Sequence, residues 1–79
     1  MPRFYFDTDD GERAFRDRAG VELADLAAAK DEAMGLLQDL SQAGFGAEGR
    51  RSVRATVRDT TGAPVYAATL TLTLDSLTA

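Results

Sequence analysis

The chain has no cysteine and no histidine in its 79 residues. Without cysteine it can form no disulfide staple, and without either residue it can build no ordinary structural zinc site. The same gap removes the ordinary nucleophile–base pairs, which need one or the other. Ser41, Ser52 and Ser76 are present with no imidazole to activate them. The lack of cysteine leaves the redox compartment open, because such a chain folds equally well in either environment. Long apolar runs are absent too, and none approaches the ~18 residues that a membrane helix requires. The opening MPRFYFDTDD lacks the apolar segment and small-residue cleavage site of a signal peptide. A cytoplasmic protein with no membrane partner is the expectation.

What remains for catalysis is thirteen carboxylates and a single lysine, Lys30. Paired carboxylates can run acid–base chemistry only in a cleft that drives their pKa values apart, and a chain this short has little volume for one. We expect no enzyme, no catalytic residue, no cofactor and no small-molecule substrate. One domain, residues 1–79, is expected. Below ~80 residues a single core rarely supplies more than about 3–5 kcal/mol, so a chain without staples is a candidate for self-association.

Charge is uneven along the chain. Residues 1–49 hold eleven acids against five bases, a net of −6, whereas residues 50–79 hold four arginines against two aspartates, a net of +2. The acidic total weighs against general nucleic-acid binding, while the basic C-terminal part keeps a local basic surface open.

The densest cluster is DTDDGE at residues 7–12. A calcium loop needs oxygens at positions 1, 3 and 5, glycine at 6 and glutamate at 12. Counting from Asp7 puts Gly11 at 5 and Arg18 at 12, and setting Gly11 at 6 puts Phe6 at 1. Neither frame works, so no metal site is expected. A hairpin fits better: Asp10-Gly11 is a strong two-residue turn signal, with a longer loop around the same glycine as the alternative. Centred there, the turn predicts a hairpin over 3–18 with Phe6 opposite Phe15, Tyr5 opposite Arg16 and Arg3 opposite Arg18. A second turn is expected at Asp17–Gly20.

Asp25 is placed to cap a helix over 25–43. Leu26, Ala29, Ala33, Leu36, Leu37 and Leu40 recur at three- and four-residue spacing, which predicts one apolar stripe. Gly35 within this run suggests a close approach to the sheet. The stretch AGFGAEG predicts a flexible loop over 44–50. A second hairpin, 51–75, follows from strict alternation on both sides of DTTGAP. Joining the apolar faces requires paired positions to sum to 123, setting Val57 against Tyr66 and Val53 against Leu70. The predicted class is α+β, in the order ββαββ: a four-stranded antiparallel sheet with one helix on one face.

The opening MPRFYFD, the DDG turn, the run DRAGVELAD followed by AAAKDEA, and VRDTTGAPV before an alternating strand resemble a family of short bacterial proteins. These begin Met-Pro-Arg-aromatic and are catalogued only as a domain of unknown function. The resemblance covers nearly the whole chain, implies one compact domain, and supplies no catalytic residues. The AGFGAEGRR region departs from it. A much looser likeness, of architecture alone, is to the HicB-type antitoxin domain, which would imply a partner-binding role.

If these registers hold, the sheet face away from the helix displays Arg3, Tyr5, Arg16, Arg54 and Arg58, the candidate interaction surface. Such a face could receive an acidic protein surface, including a second copy of the chain. It could also contact nucleic acid weakly, though one tyrosine is little for base stacking. Arginine and threonine are equally what a solvated sheet face contains. The uncharged TLTLTL segment is poorly suited to an unpaired edge. A homo-oligomer, foremost a dimer, or another protein is therefore the expected partner.

Overall fold

The computed structural model describes residues 1–42 and 49–78. Strand β1 (Arg3–Asp9) is followed by two short strands, β2 (Ala14–Phe15) and β3 (Val21–Glu22), then helix α1 (Leu26–Gln42), β4 (Gly49–Arg58) and β5 (Pro64–Leu74). All pairings are antiparallel, in the order β2-β1-β4-β5, with β3 beside the opposite end of the same β1 edge that β2 occupies. The expected α+β class, with one helix and one antiparallel sheet, is what forms. The expected four-stranded ββαββ order is not: the second strand is interrupted, and the sheet has five strands.

The interruption follows from the register. Thr8 faces Phe15 and Asp9 faces Ala14, two positions away from the predicted Phe6–Phe15 pairing. The tip is the longer loop: the Asp10 N–H donates to the Arg13 carbonyl at 3.1 Å, leaving residues 10–13 between the strands. Gly11 alone takes a left-handed φ there, 93°. After Phe15 the chain bulges outward and returns as β3, where Arg3 meets Glu22 and Phe4 meets Val21. Arg3 therefore does not oppose Arg18, nor does Tyr5 oppose Arg16.

The second hairpin keeps the predicted register. Val53 pairs with Leu70 and Val57 with Tyr66, with one irregularity beside the turn that sets Arg58 against Pro64. The Asp59 carboxylate holds that turn by accepting from the Thr61 N–H and hydroxyl and from the Ala63 N–H. β1 joins the two hairpins by pairing with β4 from Tyr5–Arg58 to Asp9–Arg54.

Asp25 caps α1 as expected, its carboxylate accepting from the Ala28 N–H at 2.9 Å. The helix rests on β4 and β5. Its small residues Ala29 and Ala33, with Leu37, are buried against Phe4, Phe6, Val53, Ala55 and Val57. Leu36 and Leu40 are half-buried beside them, whereas Leu26, in the first turn, is 44% exposed. Gly35 does not mark a close approach; a Cβ there would meet nothing within 4 Å. The loop expected over 44–50 lies outside the described residues for 44–48, as does residue 43 of the expected helix, and the loop's last two residues, Gly49 and Arg50, begin β4.

Close approach occurs instead at Gly20, between β2 and β3. Its φ is +74°, and a Cβ would fall 2.8 Å from Arg3 Cγ and 2.9 Å from the Tyr5 ring. Gly11 shares the left-handed conformation with open space around it, so the two separate strain from collision. Gly11→Ala should cost about 1 kcal/mol or slightly more from backbone strain alone. Gly20→Ala should cost clearly more, read as a larger drop in urea midpoint; equal drops would mean that Tyr5 and Arg3 yield freely.

Candidate interaction surface

On β1, β4 and β5 the odd and even residues point to opposite faces. The helix covers the face built from Phe4, Phe6, Val53, Ala55 and Val57. The other face carries Tyr5, Asp7 and Asp9 on β1, directly beside Arg58, Thr56 and Arg54 on β4, with threonines 69, 71 and 73 on β5. The five candidate residues do share this face or its margin, but they are not equivalent.

Arg58 is committed within the fold. Its Nε donates to Asp7 Oδ2 at 2.7 Å and one Nη donates to Asp7 Oδ1 at 3.1 Å, a two-pronged ion pair. The same Nη donates to the Asp17 carbonyl at 2.9 Å. The guanidinium also lies 5.1 Å from the centre of the Tyr5 ring, a stacking geometry that favours arginine over lysine. Tyr5 is thus covered on one side. Arg3 pairs with Glu22 at 3.3 Å and donates to the Ala19 carbonyl. Of the five, Arg16 and Arg54 are left without an ion-pair partner among the described residues. They line a shallow concavity of about 340 Å³ together with Asp7, Asp9 and Thr56. The face is of mixed sign rather than uniformly basic.

Asp17, expected only as a turn residue, organises the interrupted edge. Its Oδ2 accepts from the Phe6 N–H at 3.1 Å, and its Oδ1 accepts from the N–H groups of Ala19 and Gly20. Its own N–H donates to Asp7 Oδ1. The side chain thereby satisfies a backbone donor of β1 at the gap where the neighbouring strand swings away. An aspartate three residues before a glycine, between two strand fragments, was the available signal.

The tip carboxylates are similarly occupied. Asp9 accepts from the Gly11 N–H, Asp10 accepts from the N–H groups of Glu12 and Arg13, and Arg51 bonds the other Asp10 oxygen at 3.2 Å. On the helix side, the half of the sheet that α1 does not cover forms a groove of about 280 Å³ between Phe15, Val21, Leu36 and Leu40, floored by Phe6.

These contacts fix the direction of each titration. The Arg58 hydrogen bond, helped by the Asp17 N–H, holds Asp7 below the usual carboxylate range against the effect of burial. Burial pushes Asp17 up, but the N–H groups of Phe6, Gly20 and Ala19 together bring it down. Asp10 is lowered by the Arg13 and Glu12 amides, and Asp59 by the Thr61 hydroxyl and neighbouring amides. Each of these four carboxylates is shifted downward, which keeps the group charged at neutral pH. A general acid or a poised base would need the reverse.

The remaining long edge of the sheet is the outer side of β5. Its eleven residues, PVYAATLTLTL, carry no charge, and no strand pairs with that side among the described residues. The chain is a small antiparallel α+β domain with one interrupted edge and one continuous one. It belongs to a family defined only as a domain of unknown function (DUF6894), whose model matches residues 3–71. No curated protein and no solved structure matches it. No helix among the described residues is long and apolar enough to cross a membrane.

Because the lowered carboxylates have folded pKa values below their unfolded ones, their contribution is complete above the unfolded value, near ~4. It is lost as pH falls through the folded values. Urea midpoints should be flat from about pH 5 to 8 and fall below about pH 4. Asp7→Asn should lower the neutral plateau and flatten the acid slope; an unchanged slope would remove Asp7 from this account.

Proposed function

We propose that this domain is a non-catalytic protein-interaction module that accepts a partner strand along the outer edge of β5. The observation that carries this reading is the uncharged Pro64–Leu74 edge. An unpaired strand of that length presents a row of free N–H and C=O groups, and proteins that keep such an edge solitary usually blunt it with lysine, proline or a bulge. Here the only proline, Pro64, and the one irregularity, beside it, both lie at the first end of the strand, and no lysine is present. Strand addition gives affinity through main-chain hydrogen bonds and specificity through alternate side chains. The absence of histidine and cysteine and the downward carboxylate shifts favour this over catalysis. An antitoxin-like partner-binding role is one form of the same reading.

The test is a pair of charges on the edge. Thr69 and Thr71 are exposed, so Thr69→Lys/Thr71→Lys should leave the circular dichroism spectrum and urea midpoint nearly unchanged. Tagged wild-type domain purified from its own host should retain a defined polypeptide, another copy of itself included, that the variant loses. Retention of the same polypeptide by both would overturn the reading.

Weak nucleic-acid binding is a second reading, and one observation favours it: Arg16 and Arg54 line one concavity and have no ion-pair partner among the described residues. Asp7 and Asp9 in that concavity, and Arg58 over Tyr5, count against it. It requires single-stranded RNA or DNA to bind at low salt with a steep salt dependence that Arg16→Ala/Arg54→Ala abolishes. No binding at low salt removes it.

A further inference from the structure

We infer that the strand added to β5 is the β5 of a second copy, antiparallel and centred on Thr69, with the two α1 helices packed side by side across the two-fold axis. This rests on the edge reading above and specifies its occupant. Three independent observations lead to it.

The first is a parity constraint. In an antiparallel ladder, residues directly opposite point to the same face. When a strand meets its own copy about a two-fold axis perpendicular to the sheet, one residue must therefore face itself. Of the possible centres, Thr69 is the midpoint of Pro64–Leu74 and pairs Tyr66–Leu72 clear of the irregularity beside the turn. It sets Leu72 against Tyr66 and Leu70 against Ala68 on the helix side. Because β5 carries no charge, no rung opposes like charges.

The second is the position of the helix. α1 packs on both β4 and β5, so its axis lies about half a strand spacing, ~2.4 Å, inside β5. Adding a second β5 at ~4.8 Å and its own helix brings the two axes about 10 Å apart. That is the upper end of the usual separation of packed helices, roughly 8–10 Å. The helices would touch without colliding, and the joined sheet would carry both on one face.

The third is an exposed apolar side chain at the required place. Leu23 at the approach to α1 bonds back to Pro2, and Leu40 near its end lines the recess beside the Asp10–Arg13 loop. α1 therefore runs parallel to β1 and, through two antiparallel pairings, parallel to β5. Lys30 stands over the Tyr66 ring, its Nζ 6.0 Å from the centre, which identifies the flank of α1 that faces β5. Met34 is one turn further along that flank, about 6 Å on, which is roughly two strand residues and brings it level with Ala68. It is 47% exposed. Beside the axis, it would meet its own counterpart and be covered. A thioether is well suited to such a self-contact because it adapts its shape.

The cysteine-free chain makes the test direct. The three positions used are Ala67, Thr69 and Thr71, all exposed and, by their pairing with Thr56, Arg54 and Ser52, on the open face. Circular dichroism first checks that each cysteine variant folds. Under mild oxidation Thr69→Cys alone should give a disulfide-linked dimer, since opposed residues lie within disulfide reach. Ala67→Cys and Thr71→Cys should each crosslink poorly alone and efficiently when mixed. Sedimentation of the unmodified chain reports association separately, and Met34→Lys should shift it toward monomer. A pure monomer at high micromolar concentration overturns this inference while leaving strand addition by another polypeptide standing. A stable dimer that crosslinks at none of these positions places the contact elsewhere and likewise overturns this inference alone.

Discussion

The contact on which the fold depends is the pairing of β1 with β4, where Phe6 lies beside Val57. Those residues are far apart in sequence, and their pairing closes the longest loop in the chain at the largest entropic cost. Everything else can be added locally: β5 folds back on β4, the short strands fold back on β1, and α1 lies over β4 and β5. The buried Phe4, Phe6, Val53, Ala55 and Val57 come from these two central strands. The Asp7–Arg58 ion pair spans the same seam on the opposite face, so hydrophobic burial below and a two-pronged salt bridge above fasten the same pair of strands.

Legibility followed the source of each register. The β4–β5 hairpin was readable because strict two-residue alternation on both strands admits one alignment, and Val53–Leu70 and Val57–Tyr66 formed as expected. The first hairpin was misaligned by two positions because side chains, rather than the ladder, decide its shape. The Asp10 carboxylate stabilises a four-residue tip, and Asp17 accepts the Phe6 N–H that a continuous strand would have paired. Periodicity carries no information about a carboxylate standing in for a carbonyl. Asp25 was legible as a cap because that role is set by local position alone.

The candidate surface was partly legible for a related reason. Parity placed Tyr5, Arg54 and Arg58 on the open face, and the same parity should have placed Asp7 and Asp9 there. Asp7 and Asp9 of β1 stand beside Thr56 and Arg54 of β4, so the face is of mixed sign rather than basic. Three of the five candidates proved to be internal partners: Arg58 with Asp7, Tyr5 beneath Arg58, and Arg3 with Glu22. Belonging to a domain family without an assigned role does not alter that division, which rests on geometry.

The two margins of the sheet are unlike. On one side the ladder is broken into the dipeptides Ala14–Phe15 and Val21–Glu22, with a bulge held away by Asp17 between them. On the other a single strand runs from Pro64 to Leu74, regular from Tyr66 onward. A broken margin cannot template a further rung, so a sheet of this kind can grow in one direction only. That margin is blunted as a template for open-ended stacking, and the aspartate that satisfies a single backbone amide sits at the break.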